Sequence, residues 1–163
     1  MGPDSRVGIG FDFHPFSAGR RLVLGGVHIS FEKGLQGHSD ADALLHAVTD
    51  AILGAAGLAD IGTHFPDDDP RFRDASSQFL LEEAFRCVRE RGFRVGNVDI
   101  VVVAEVPKIQ PHVAEMKSNI ARILKVQPAE VGIKATTMEG RGVIGRAEGI
   151  AVQAVALLHA VES

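Results

Sequence analysis

Asp12 and His14 are both metal-ligating residue types, and they sit two apart in a stretch, Arg6 to His14, that reads as a β-strand. Residues two apart on a strand project from the same face, roughly 6–7 Å apart along the chain, so this carboxylate and imidazole can grip one metal ion. Asp and His also cap strand ends, and the pair alone leaves both uses open. A second group sharpens the choice: His38-Ser39-Asp40-Ala41-Asp42-Ala43-Leu44-Leu45-His46, continuing to Asp50. Asp42, His46 and Asp50 are four apart and form one polar stripe of a helix. For the two aspartates, a solvated helix face with charge partners accounts for the spacing equally well. A histidine bracketed by carboxylates is more pointed, since carboxylates commonly orient ligand imidazoles from behind. Asp12, His14 and His46 would then supply three N/O ligands and leave a fourth position open. That is the pattern of a catalytic zinc site, because a structural site closes with four protein ligands.

Two further groups carry polar chemistry. Asp60-Ile61-Gly62 followed by Phe65-Pro66-Asp67-Asp68-Asp69-Pro70 can hold Mg²⁺, bind hydroxyls, or simply make Asx-turns, the default for Asp68. Lys134 to Arg146 places hydroxyls, Glu139, glycines and arginines after a strand, which suits contacts to anionic oxygens or a glycine-rich hairpin loop. It lacks the Lys-Ser/Thr ending of a P-loop, which argues against a nucleoside triphosphatase.

The elements that must position these groups follow from periodicity. Arg20 to Ser30 reads as a short hairpin hinged at Gly25-Gly26. Ser39 or Asp40 can cap a helix carrying Leu45, Val48 and Ile52 on its apolar face and ending near Gly54 or Gly57. Ile61 to Asp74 reads as a loop, Ser76 to Arg91 as a second helix, and Val98 to Val106 as a nearly continuous apolar strand. A third helix begins after Pro111 and runs to Leu124, and Val131 to Met138 and Gly149 to Val161 complete the strands. In the second helix Cys87 reads as a small apolar core residue rather than a reactive thiol. The last strand has almost no polar alternation, so both of its faces must be covered. Three helices cover one face of a small mixed sheet, and a further copy of the chain is expected on the other. The fold class expected is α/β of an α+β-like kind, one domain over residues 1–163, with residues 1–5 a terminal appendage.

The bulk numbers are consistent with this. The chain has 163 residues, 45% hydrophobic and 23% charged, which is enough for one globular core. A formal net charge of -4 provides no basic field for nucleic acid. No apolar run approaches membrane-spanning length, and the N-terminal residues lack the features of a signal or transit peptide. A single cysteine excludes an internal disulfide and fits a reducing compartment. A cytoplasmic protein is expected, or a plastid-type one if the sequence is a processed form.

Taken together, GFDFHPF, GGVHI, KGLQGHSDADALLHAVTDAILGAAGLADIGTHFPDDDP, GNVD, PKIQPH, KATTME and GRAEGIA resemble the 2-C-methyl-D-erythritol 2,4-cyclodiphosphate synthase family over nearly the whole chain. The resemblance implies that Asp12, His14 and His46 hold zinc, and that His38 and Thr137 position the diphosphate, with Ser39 beside them. It implies that Asp60, Gly62, Asp67 and Asp69 contact the erythritol and its phosphate, with Ile61 and Phe65 also binding substrate. Glu139 would bind a second divalent ion, Mg²⁺ or Mn²⁺, through substrate phosphates. The loop Ala104-Glu105-Val106-Pro107-Lys108, with Thr136, would form a cytidine pocket contributed by the neighbouring subunit of a homotrimer, and Ile109 and Met138 would also contact the substrate. Val143 and Arg146 belong to a region that lines an axial cavity in the family. Gly140-Arg141-Gly142-Val143 departs there from the usual Lys-Leu-Gly-aromatic run, which bears on that cavity and not on cyclisation.

The implied reaction is intramolecular: a 2-phosphate oxygen attacks a β-phosphorus and CMP leaves. Such a nucleophile is already anionic, which explains a candidate set rich in ligands and poor in bases. A metal-dependent phosphoesterase is the main rival, but it would benefit from a second metal cluster and a base for water. A non-catalytic trimeric binding module for phosphorylated isoprenoids would use Arg146 and Glu148 and leave the Asp/His/His set without a role.

Overall fold

The computed structural model describes residues 5–66, 68–72 and 75–161. Strands β1 (Ser5–Ala18), β2 (Leu22–Leu24), β3 (Val27–Ile29) and β4 (Lys33–Leu35) precede helix α1 (Ala43–Ala55) and the short α2 (Ile61–His64). Then follow α3 (Ser77–Glu90), β5 (Phe93–Val103), α4 (Val113–Leu124), β6 (Val131–Thr136), α5 (Gly142–Gly145) and β7 (Gly149–Ala160). The main sheet has the order β4-β1-β7-β5-β6, antiparallel except for the β5–β6 pair, and β2–β3 form the separate hairpin expected around Gly25-Gly26. The parallel pair needs a crossover, which α4 supplies. This is the mixed α/β fold expected from the sequence.

Helix α1 lies on β1 and β7, α3 packs on α1, and α4 on β6. Leu44, Leu45, Val48 and Ile52 of α1 are fully buried, and burial of each such side chain contributes about 1.5–3 kcal/mol. No helix among the described residues covers the β1 part of the other sheet face. Val7, Ile9 and Phe11 of β1 are 63–69% exposed, and Phe13 and Val155 are partly exposed beside them. No helix among the described residues is long and apolar enough to cross a membrane.

Several local expectations need correction. The cap of α1 is Asp42, not Ser39 or Asp40, because Ser39 and Ala41 adopt positive φ and cannot begin the helix. Asp42 is not on a solvated stripe either. It is fully buried, and its carboxylate accepts the N–H groups of Gly25, Gly26 and Leu45 at 2.7–3.0 Å. Burial pushes its pKa up, and those three N–H groups oppose the rise. The expected loop after Ile61 holds α2 and a 3₁₀ turn at Pro70–Phe72. The β5 strand starts earlier than read, at Phe93, and is irregular between Val95 and Asn97. The glycine-rich Gly140 to Arg146 segment contains α5 rather than a plain hairpin loop. Cys87 is half-buried at the edge of the core rather than inside it.

Candidate metal centre and substrate cleft

The placement of the triad starts with two glycines that precede it on β1. A Cβ at Gly10 would lie 1.9 Å from the Ala47 carbonyl oxygen of α1, and one at Gly8 would lie 2.1 Å from that of Ala51. Their absence of side chains lets the α1 backbone rest directly on β1. Gly8, Gly10, Asp12 and His14 share one face by the period-two rule, so the close approach brings Asp12 and His14 up to His46. Asp12 Oδ2, His14 Nε2 and His46 Nδ1 form a triangle with edges of 2.8, 3.1 and 3.3 Å. A tetrahedral ion with bonds of about 2.0–2.1 Å sets ligand separations of about 3.3–3.4 Å. The triangle is slightly tighter than that and fits such an ion with small adjustments. Among the described residues it is the one group of three such side chains that converge.

The polar chemistry of the triangle also calls for a cation. His14 Nδ1 lies 2.5 Å from the Gln36 carbonyl oxygen, which can only accept, so Nδ1 carries hydrogen. In the neutral ring, Nε2 is then bare and faces the carboxylate of Asp12. Burial opposes ionisation of Asp12, but hydrogen bonds and charge from His14 and His46 outweigh it and hold the carboxyl well below the usual range. Burial likewise opposes a charge on His14, while Asp12, the Gln36 carbonyl and the negative charge of Asp42 raise its pKa above the ordinary value. Each shift favours the charged form of its group, so the triangle holds a negative oxygen with positive charge drawn up to it.

The triad opens into a cleft of about 520 Å³ that is also lined by His38, Ser39, Ile61, Gly62 and Phe65. Arg20 fixes its rim by donating to the carbonyls of Gly37 at 2.8 Å and Ser39 at 2.7 Å. The Ser39 hydroxyl is buried and meets no hydrogen-bond partner among the described residues, which suits a polar ligand in the cleft. The Asp50 carboxylate accepts the Ile61 N–H at 2.8 Å and so ties α2 to α1. Asp60 caps α2 through the Thr63 N–H, and bonds from Thr63 lower its pKa. Asp69 is engaged by Arg71 at 2.6–3.1 Å. Asp67 lies outside the described residues. A larger groove of about 910 Å³ lies along Phe85, Phe93 and Leu124, with none of the triad or its neighbours in its wall.

The remaining site candidates form a second group. Phe13 pairs with Ala151, Ala151 with Val103, and Val103 with Thr136, so one row crosses the sheet from β1 to β6. Three strand spacings separate Phe13 from Thr136, about 14 Å. The Ala104 N–H donates to the Thr136 carbonyl at 3.0 Å, and the Glu105 carboxylate accepts the Met138 N–H at 2.7 Å. Thr136, Thr137, Met138, Glu139, Lys108 and Val143 are exposed there and Pro107 is half-buried, whereas Ile109 packs into the core. Arg146 pairs with Glu148 at 2.6 Å. The structure therefore gathers Asp12, His14, His38, Ser39, His46, Ile61, Gly62 and Phe65 at one cleft and leaves the group around Thr136 at another place on the same chain.

Sequence reading missed Gly8, Gly10, Arg20 and Ser77, the last of which lies 2.9 Å from the His46 ring. Gly8 and Gly10 carried a signal, a Gly-x-Gly-x-Asp-x-His alternation on one strand face. Arg20 and Ser77 carried none, since their partners are set by tertiary contacts.

Comparison with known proteins agrees with the geometry. The profile of the YgbB family matches residues 5–159. A 2-C-methyl-D-erythritol 2,4-cyclodiphosphate synthase of Halalkalibacterium halodurans is 55% identical, covering 94% of this chain and 98% of the relative. One from Neisseria gonorrhoeae is 56% identical, covering 94% and 96%. The bifunctional IspDF of Campylobacter jejuni superposes with a TM-score of 0.92 at 47% identity, covering 97% of this chain and 43% of that longer one. IspF of Plasmodium falciparum in complex with CDP superposes with a TM-score of 0.87 at 34% identity, covering 99% and 100%. The chain belongs to the YgbB family, that of the 2-C-methyl-D-erythritol 2,4-cyclodiphosphate synthases.

Proposed function

We propose that this chain converts 4-diphosphocytidyl-2-C-methyl-D-erythritol 2-phosphate into 2-C-methyl-D-erythritol 2,4-cyclodiphosphate and CMP, as a cyclising phosphorus–oxygen lyase of non-mevalonate isoprenoid synthesis. The observation that carries the reading is the Asp12–His14–His46 triangle opening into a polar cleft, in a chain more than half identical to synthases of this name. The reaction joins a 2-phosphate oxygen to the β-phosphorus and breaks the bond to CMP, so no water enters and no proton must be removed from the nucleophile. The chain's task is to fold a flexible, multiply charged substrate into attack geometry. His38 and Thr137 would position the diphosphate, with Ser39 beside them, and Asp60 and Gly62 would hold the erythritol phosphate end. Held by Asp12, His14 and His46, zinc would supply a Lewis acid, and Mg²⁺ or Mn²⁺ at Glu139 would offset charge on the phosphates. The N₂O donor set with one coordination position to spare suits zinc in a catalytic setting.

Phosphorus NMR of the substrate with the protein and both metals tests this: a cyclic product with CMP is expected, and a linear phosphate would instead make it a phosphoesterase. No second metal cluster among the described residues favours that alternative. The single cysteine and the bacterial relatives support a cytoplasmic location.

The functional unit in this reading is a homotrimer with sites at subunit interfaces. Two observations support it: the bare apolar stripe of Val7, Ile9 and Phe11, which monomers rarely expose, and the roughly 14 Å between the two residue groups within one chain. A cyclic assembly can set the Thr136 group of one copy beside the triad of the next. The CDP bound in the Plasmodium falciparum relative is the kind of ligand such a composite pocket would hold. Light scattering at micromolar concentration is expected to give the mass of three chains; a monomer would refute the assembly.

Glu139 has a positive φ, its N–H donates to Thr137 Oγ1 at 3.3 Å, and the residue is exposed. Mg²⁺ prefers one or two carboxylates together with substrate phosphates. Glu139→Gln is therefore expected to keep zinc and lose most Mg²⁺-stimulated turnover, read from a metal titration. An unchanged Mg²⁺ dependence would move the second ion elsewhere.

A further inference from the structure

Ser77, on the first turn of α3, is fully buried although it is polar. Its backbone N–H donates to Asp40 Oδ2 at 3.1 Å, and its hydroxyl makes a short hydrogen bond to Asp40 Oδ1. A serine hydroxyl has one proton, and an ionised carboxylate only accepts, so that proton points at Asp40. Ser77 Oγ therefore presents a lone pair to its other neighbour, His46 Nε2, 2.9 Å away. For this contact to be a hydrogen bond, Nε2 must carry the hydrogen. In the neutral ring the other nitrogen, Nδ1, is then bare, and it is the one that faces Asp12 Oδ2 at 3.1 Å and His14 Nε2 at 3.3 Å.

We propose that Asp40 and Ser77 form a relay that sets the tautomer and tilt of His46, so that Nδ1 offers its lone pair to the metal. They are positioning residues: neither atom of the relay touches the ion, and the effect passes through the imidazole. The arrangement complements that of His14, whose Nδ1–H is taken by the Gln36 carbonyl and whose Nε2 faces the site. The two rings thus point opposite nitrogens inward, each held from behind by an acceptor. At His46 the acceptor is a hydroxyl backed by a carboxylate. The relay also explains why a serine is buried at this point of α3, and why Asp40, which does not cap α1, faces inward toward α3.

The proposal rests on the metal-centre reading above, and its test separates the two. Asp12 Oδ2 would accept an Nδ1–H in the metal-free wild type, so nitrogen-15 NMR of the metal-free Asp12→Ala chain, at alkaline pH, reads the tautomer that Ser77 sets in His46. The Nε2–H form is expected in Asp12→Ala and a mixture of tautomers when Ser77→Ala is added. Zinc affinity, measured by competition with a chromophoric chelator, is expected to fall about 10- to 100-fold in Ser77→Ala, the usual effect of removing a group that orients a ligand. Asp40→Asn is expected to give a smaller loss, because its amide can still accept from the hydroxyl. A purely structural role for Ser77 would lower the unfolding temperature without moving the tautomer. An Nδ1–H ring in the Asp12→Ala chain would overturn the relay, and so would zinc affinity within about twofold of wild type in Ser77→Ala. Should the Ser77 variants not fold, the tautomer of Asp12→Ala decides the matter. If the wild type takes up no zinc, the metal reading fails, and the relay's role in metal binding fails with it.

Discussion

His46→Ala is expected to remove bound metal and turnover together. The variant leaves Asp12 and His14 as the only protein donors, whereas a catalytic zinc needs three. If about 10–16 kcal/mol of zinc binding is shared among four ligands, one imidazole accounts for roughly 3 kcal/mol, a factor of a hundred or more in affinity. The loss spreads further. Asp12 loses the ring nitrogen that stands 3.1 Å from its carboxylate, and Ser77 gives up its 2.9 Å contact. Folding should survive, because the ring lies at the cleft wall and not in the apolar core. Metal analysis of the purified variant, with phosphorus NMR of turnover, checks the expectation. Full metal content in the variant would mean that His46 is not a ligand.

Gly10→Ala should be the more damaging change to the molecule as a whole, although it adds one methyl group. That methyl would sit 1.9 Å from the Ala47 carbonyl oxygen and 2.9 Å from the Ala51 N. Backbone atoms of a helix cannot rotate away as a side chain can, so α1 must move off β1. Overpacking a core typically costs about 1–3 kcal/mol and occasionally more; displacement of a whole helix belongs at the upper end. In a domain of this size, about 3 kcal/mol lowers the melting temperature by roughly 6–12 °C. His46 rides on α1, so the ligand triangle should open and metal affinity fall as well. Thermal unfolding of the metal-free and metal-loaded chains separates the effects: both melting temperatures drop, and the stabilisation by metal shrinks. A melting temperature within a degree or two of wild type would mean that the helix does not rest on this strand as described.

The Asp12–His14–His46 triad was legible because its geometry is mostly local. A strand period of two fixes that Asp12 and His14 share a face, and helical spacing fixes which stripe carries His46. The hairpin at Gly25-Gly26 and the helices at 77–90 and 113–124 were legible for the same reason, since turn chemistry and apolar periodicity act over a few residues. The aspartates of the same motif were not legible. Asp42, four residues before His46, reads as part of a solvated stripe, yet it is a buried cap that ties α1 to the Gly25-Gly26 turn. Asp40 reads as a helix cap, yet it serves Ser77, 37 residues away. An aspartate's type and spacing are the same in each role, and only the groups that meet its two oxygens distinguish them.

What the amino-acid sequence determined by itself was therefore the set of chemically capable residues, the local elements that carry them, and the family motifs they compose. Local sterics and hydrogen bonding dictate these, and neither depends on distant segments. Only the tertiary structure decided that bare glycines let α1 rest on β1, that Ser77 stands behind His46, and that the Thr136 group lies three strands from the triad. Each of these is a contact or a distance between segments far apart in the chain, set by how the sheet orders its strands and how closely the helices can pack on it.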